Sequence, residues 1–537
     1  MPSLGSAIRA AAVNLHSVGV LQRAGVIDLL APARTVRTAR AVRDYGTLAG
    51  PVHSAAQREP DRVAVIDERG ALTYRDLELR SNALARGLAA RGVGPGSTVA
   101  TLVRDSRELV DAMLAAGKVG ARLVLLNTGF AAPQLADVAA REGVNVLVYD
   151  QEFTPLLQVL PPDIQQVLAR HDGSGTLTLD ELIAANDTAE LPPPATQGGF
   201  VLLTGGTTGT PKGVPREVRS PLAAAAFLER IPLRRNQTLV LAAPLFHGTA
   251  LNQFIMSLVL GSTVVLRRRF DAEATLAAVA EHRASVLVLV PTMLRRILDL
   301  GPQVLAQHDT SGLRVIFSAG SALPAALGDA ATAAFGEVLY NFYGSTEVGV
   351  ATIATPRDWR AAAGTVGKPP TMCTVRLYDD EGTLVTEPGR RGTVYVHSML
   401  SFREYSGGGR KDSIGGLLSS GDVGHWDAGG RLFIDGRDDD MIVSGGENVF
   451  PGEVEELLYA HPAIAEAAIV PVPDAEFGQR LAAFVVLHPG ASLDAEGVRT
   501  HVRANLARFK VPRDVEFVRE LPRTDTGKLL RLQLETH

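Results

Sequence analysis

The chain has 537 residues, enough for more than one domain with well-buried cores. Its 53 lysines and arginines are offset by 58 aspartates and glutamates, a formal charge of −5, which excludes the broad basic field that non-specific nucleic-acid binding needs. The one cysteine, Cys373, excludes a disulfide framework and a cysteine-based zinc site, and it fits a reducing, cytoplasmic setting.

Residues 1–50 stand apart as an Ala-, Leu- and Val-rich extension with arginines at 9, 23, 34, 37, 40 and 43. No apolar core followed by a small-residue cleavage site occurs there, so no secretory signal is expected. The composition predicts a helical hairpin packed on the body. A basic, apolar surface of this kind also suits peripheral contact with the inner face of an anionic membrane. From residue 60 the pattern alternates. RVAVID (62–67), TVATLV (98–103), ARLVLLN (121–127) and VNVLVYD (144–150) read as strands, with helices expected over 74–91 and 107–119. A Pro-rich stretch at 191–196 punctuates the chain. Apolar strands then return at 238–244, 262–267, 284–291 and 313–320. Apolar strands separated by helices imply mainly parallel sheet covered on both faces. After about residue 365, short strands and Gly-rich turns predict a small antiparallel β unit, and a last segment mixes helices and strands.

The strongest local signal is LLTGGTTGTPKGV (202–214), an apolar strand that runs into glycines, threonines and Lys212. Glycines let backbone N–H groups approach an anion, threonine hydroxyls donate, and Lys212 adds charge, a composition suited to a polyphosphate. It is not a Walker A loop, because Gly213 follows Lys212. This segment resembles the phosphate loop of the adenylate-forming superfamily of acyl-CoA synthetases, adenylation domains and luciferases. It departs from the family at Thr204-Gly205-Gly206, where Thr-Ser-Gly is usual.

Further motifs resemble the family in the family's order. PLFHG carries His247 at the acyl-pocket gate. SAGSALP places Gly320, Ser321 and Ala322 at the adenine wall. NFYGSTE supplies Asn341, Phe342, Tyr343, Gly344, Thr346 and Glu347. SSGDVGHWD carries Asp422, and GRDDDMIVSGGENVF carries Arg437, Asp439, Gly445 and Gly446. PRTDTGK carries Lys528. The resemblance implies that Tyr343 stacks on adenine, Thr346 meets phosphate, Glu347 holds magnesium, Asp422 accepts from ribose and Arg437 reaches ribose or phosphate. It makes Thr204, Gly205, Gly206, Thr207, Thr208, Gly209 and Lys212 the phosphate grip. Asp439 becomes a hinge, Gly445 and Gly446 a passage for coenzyme A, and Lys528 the adenylation lysine. Lys528, Thr346, Glu347 and His247 form the expected catalytic set.

The fold so implied is α/β: a large N-terminal domain (51–436) of doubly wound sheets plus a small β unit, and a small mobile α+β domain (437–537). The implied reaction activates a carboxylic acid with ATP and Mg²⁺ to an acyl-adenylate and passes the acyl group to coenzyme A. Amino-acid-activating relatives have an aspartate where His247 stands, and residues 245–266 carry no charge, so a medium- or long-chain fatty acid is expected. The alternatives are an aryl-CoA ligase, a ligase that loads a carrier protein, and a non-catalytic nucleotide-binding relative.

Overall fold

The computed structural model describes residues 4–170, 175–204, 212–216, 223–402, 404–406, 408, 410–437, 442–444, 447–474, 478–506, 510–524 and 527–534. The apolar runs form two parallel-rich sheets. One has eight strands, in the order Gly349–Ala354, Leu339–Ser345, Val315–Ser318, Val286–Leu289, Thr238–Leu241, Thr263–Leu266, Val63–Asp67, Gly70–Thr73. It is parallel within and antiparallel at both edges. The other has six strands, in the order Gln165–Leu168, Val146–Tyr149, Thr98–Leu102, Arg122–Leu125, Phe200–Thr204, Lys212–Arg216, and only its last pair is antiparallel. Runs such as VLVL (286–289) and VLVY (146–149) are buried at every position, as strands covered on both faces must be.

The helix Arg107–Val119 packs on strands of both sheets, and nearly all of its side chains are buried. A helix wedged between two sheets has no solvent face for its charged residues, so each of them finds a partner. Arg107 meets Asp67 at 3.0 Å, Glu108 meets Arg69 at 2.5 Å, Asp111 meets Arg80 at 2.7 Å, and Lys118 meets Glu78 at 2.8 Å.

The N-terminal extension forms two helices, Leu4–Ala24 and Pro32–Arg58. The first packs against Ala223–Leu228 and buries Ser17, Val20, Leu21 and Ala24. The second packs against Arg107–Val119, Tyr74–Ala89 and Gly248–Val259. It is broken at Gly46, whose φ of 77° is left-handed and strained for any residue with a Cβ. Leu15, Leu29, Leu30 and Val36 face outward. No helix among the described residues is long and apolar enough to cross a membrane.

An antiparallel sheet follows, in which Arg391–His397 lies between Thr374–Tyr378 and Leu417–Trp426, and Leu432–Arg437 pairs with the latter. Beyond it, the strands Ile464–Asp474 and Gly478–Leu487 and the helices Pro451–Tyr459 and Ala495–Asn505 enclose a separate core of Val454, Leu458, Ile469, Val485 and Val498. The chain is thus a mixed α/β protein with a distinct small C-terminal domain.

Candidate active site

Parallel strands all end at one edge, and the loops leaving that edge make a crevice. The strands Thr238–Leu241, Val286–Leu289, Val315–Ser318 and Leu339–Ser345 deliver Phe246 and His247, Pro291 and Thr292, Gly320 to Ala322, and Thr346 and Glu347 to one cavity. The second sheet adds Leu202 and Lys212, and the small domain adds Lys528. The cavity measures about 2730 Å³. A pocket for one small ligand is typically about 300–1,000 Å³, so this one has room for several reactants.

On one side, the Tyr343 hydroxyl donates to Asp422 Oδ2 at 2.5 Å, and Arg437 Nη1 lies 3.8 Å from Oδ1. Asp422 and Arg437 are cross-strand partners, which brings them onto one face. Burial pushes the Asp422 carboxyl above its ordinary range, and the Tyr343 bond and Arg437 oppose that shift. Gly320, Ser321, Ala322 and Gly344 line the cavity along with Tyr343 and Arg437, whereas Asp422 sits behind them and does not line it. Asn341 is buried and donates to the Thr365 carbonyl at 3.1 Å, which fixes the strand below. Phe342 stacks on Phe227 at 5.3 Å and tilts on Phe317 at 5.5 Å, so it belongs to an aromatic cluster of which Phe227 also lines the cavity.

Glu347 is a buried carboxylate at the cavity edge. Its oxygens accept from the Ser345 hydroxyl at 2.9 Å and the Tyr405 hydroxyl at 3.1 Å. Both donors are neutral hydroxyls, and a carboxylate is a hard oxygen ligand, so this donor chemistry fits magnesium. The Lys212 Nζ lies over the same Tyr405 ring, 5.0 Å from its centroid. Sequence reasoning missed Tyr405, which sits in the unremarkable run FREYSGGG and belongs to none of the quoted motifs.

On the acyl side, His247 stands at the N-terminus of Gly248–Val259, with its ring 4.4 Å from that of Phe246. Its Nε2 is sealed from solvent without a hydrogen-bond partner, and burial lowers its pKa to about 3, so the imidazole is neutral at physiological pH. Ala250 lines the cavity, whereas Phe254 and Leu258 on the same helical face are core and do not reach it. The loop before His247 is held by Asp105, also missed, which is fully buried and accepts from the Leu245 N–H through both oxygens at 3.1 and 3.2 Å. Burial raises the Asp105 carboxyl to about 7. A folded pKa above the unfolded value means that the folded state holds the proton longer, so Asp105 subtracts stability progressively as pH rises from about 4 to about 7. Asp105→Asn keeps an acceptor for Leu245 and removes the ionisation. Thermal melts should show it at least as stable as the parent at pH 8, with the advantage shrinking toward pH 4. A deficit at pH 8 would mean that the fold stabilises the Asp105 carboxylate and lowers its pKa instead of raising it.

Lys528 is exposed within the cavity on a tight hairpin in which Thr524 N–H donates to the Lys528 carbonyl at 2.8 Å. The hairpin is seated by Arg523, which bonds Glu466 at 2.7 Å and the Gly527 carbonyl at 2.8 Å. The small domain touches the large one here. Glu456 accepts from the Ala325 N–H, at the start of the helix Ala325–Phe335, at 2.6 Å, and Arg295 lies over the Tyr459 ring at 5.3 Å. Thr204 ends its strand. Gly205, Gly206, Thr207, Thr208, Gly209, Asp439, Gly445 and Gly446 lie outside the described residues.

Residues 52–406 match the family described as AMP-binding enzyme, and residues 453–528 match the AMP-binding enzyme C-terminal domain. A fatty acid–[acyl-carrier-protein] ligase of Streptomyces coeruleorubidus is 32% identical over 498 residues, covering 89% of this chain and 94% of the relative. A feruloyl-CoA synthase of an Amycolatopsis species is 32% identical over 505 residues, covering 91% and 98%. Among solved structures, the o-succinylbenzoate CoA synthetase of Bacillus subtilis in complex with its acyl-adenylate superimposes with a TM-score of 0.79 at 28% identity, covering 91% of this chain and 98% of that one. The two family matches fall on the two parts of the chain that meet at the cavity, and the chain belongs to the AMP-binding enzyme family, as an acid–thiol ligase of the adenylate-forming fold.

Proposed function

We propose that the protein activates a medium- or long-chain fatty acid with ATP as an acyl-adenylate and transfers the acyl group to coenzyme A. The observation that carries this reading is the acyl side of the cavity. His247 is neutral, and Ala250, Phe227, Phe246, Val290 and Leu323, which line the cavity with it, are all apolar. Such a wall gives an acid's ammonium or second carboxylate nothing to pair with, and it rewards each buried methylene by about 0.8 kcal/mol.

In the first half-reaction the acid's carboxylate attacks the α-phosphorus of ATP and pyrophosphate leaves. Tyr343, Gly320, Ser321 and Ala322 hold the base, and Asp422 accepts from ribose hydroxyls. Arg437, Lys212 and Thr346 face the phosphates. Glu347 would hold a magnesium ion, which neutralises charge on the phosphoryl oxygens. Lys528 places an ammonium where negative charge grows. In the second half-reaction the thiol attacks the acyl carbonyl and AMP departs. The small domain must turn for this, and Asp439 is the pivot carried over from the family pattern.

A second reading, an aryl acid, is favoured by one observation: the rings of Phe227, Phe246, Phe342 and His247 surround the same space. Pyrophosphate and AMP release over a panel of acids, with and without coenzyme A, separates the two. Catalytic efficiency should rise several-fold per carbon from about four carbons to at least about eight. Ala250→Trp should move the optimum to shorter acids. A preference for benzoate- or cinnamate-like acids would replace the fatty-acid reading, and efficient turnover only with a carrier protein would replace coenzyme A as the acceptor.

A further inference from the structure

Glu347 and Lys212 come from different sheets, so their relative position depends on whatever spans the gap. Phe402, Tyr405 and Ser406 do so. Phe402 N–H donates to the Glu347 carbonyl at 2.8 Å, and the Tyr405 hydroxyl donates to the Glu347 carboxylate at 3.1 Å. On the other side, Ser406 N–H donates to the Gly213 carbonyl at 2.9 Å, and Ser406 Oγ donates to Glu142 Oε1 at 2.6 Å. A Cβ on Gly213 would meet Ser406 Oγ and Glu142 Oε1 too closely, so any larger residue there would have to displace the hydrogen bond between them. The Tyr405 ring packs on Phe402 at 4.7 Å and with it on Val214, while Lys212 sits over its face at 5.0 Å. One buried side chain therefore touches both the carboxylate and the ammonium.

We propose that Tyr405 is a positioning residue that sets the metal carboxylate and the phosphate-loop lysine as a unit, its hydroxyl orienting Glu347 and its ring seating Lys212. This rests on the reading of Glu347 as the magnesium ligand. The ring and the hydroxyl then have separable consequences. An unoriented carboxylate can turn away from the cation, which weakens metal affinity. An unseated ammonium samples more rotamers, which weakens the grip on phosphate whether or not metal is present.

The test is calorimetric binding of ATP to the full-length enzyme across a magnesium titration, and again in EDTA. Tyr405→Phe keeps the ring and should raise the magnesium midpoint roughly five- to tenfold while leaving metal-free ATP binding at the parent value. Tyr405→Leu should shift the magnesium midpoint as well and also weaken metal-free binding several-fold. Melting curves accompany both. A magnesium midpoint in Tyr405→Phe that overlays the parent overturns the proposal, even if melting falls, because a packing role lowers stability without moving the metal dependence. Equal defects in the two variants overturn the division between ring and hydroxyl. Glu347→Gln is the control: if its magnesium dependence is also unchanged, the reading of Glu347 as the ligand fails, rather than the role of Tyr405.

Discussion

Lys528→Ala should slow acyl-adenylate formation by about 10²–10³-fold, the usual cost of removing one fixed charge from a site where charge develops. Transfer to coenzyme A from a supplied acyl-adenylate should stay near the parent rate. The side chain is exposed in the cavity, and its hairpin is held by Thr524, Arg523 and Glu466, so the substitution removes an ammonium without disturbing the loop. The contacts of Glu456 with Ala325 and of Tyr459 with Arg295 put the domain in the orientation that brings Lys528 to the cleft. Pyrophosphate exchange reads the first half-reaction and a single-turnover assay with added acyl-adenylate reads the second. Comparable losses in both would show that Lys528 serves the second step too, or that the hairpin collapses.

The largest stability effect is expected at Lys118→Ala. Lys118 is 2% exposed, and its ammonium meets Glu78 at 2.8 Å and Asn82 Oδ1 at 2.5 Å, while His53 of the N-terminal extension bonds the same Glu78 at 2.9 Å. Truncation leaves a buried carboxylate short of its cation, which typically costs about 3–5 kcal/mol. In apparent melting temperature that is a fall on the order of 10 °C. Replacing the pair by apolar residues, Lys118→Met with Glu78→Leu, should recover most of the loss, because the desolvation of both charges then disappears. A single Lys118→Ala variant that melts with the parent would show that water or His53 compensates the carboxylate.

The strands at 146–149 and 286–289 were readable in the sequence because a strand buried on both faces is an apolar run. The helix over 107–119 was readable in extent but not in setting. RELVDAMLAAGKV shows a polar face, yet the fold buries that face, and nothing local announces the partners Asp67, Arg69, Glu78 and Arg80. Tyr343, Glu347, Asp422, Arg437 and Lys528 were nominated because each sits in a motif, and of these Tyr343, Glu347, Arg437 and Lys528 line the cavity. Tyr405 and Asp105 escaped because their importance lies in contacts across about 58 and 140 residues of chain, with Glu347 and Leu245 respectively. The period of Gly248–Val259 put Ala250, Phe254 and Leu258 on one face, but only the packing shows that the face turns inward after its first turn.

The N-terminal hairpin has a consequence for the order of synthesis. Its helices are made before the surfaces that cover them: Tyr74–Ala89 and Arg107–Val119 for the second helix, then Ala223–Leu228 for the first and Gly248–Val259 for the second again. At about 5–20 residues per second, the gap between Leu21 and the helix at 248 corresponds to tens of seconds. Until residues 223–228 have been made, Val20 and Leu21, buried in the finished protein, lack the helix that covers them. The left-handed bend at Gly46 cannot be set by local helix propensity, so it waits for the same partners. The nascent chain therefore carries an apolar, arginine-bearing hairpin whose cover is complete only once the helix Gly248–Val259 has been made.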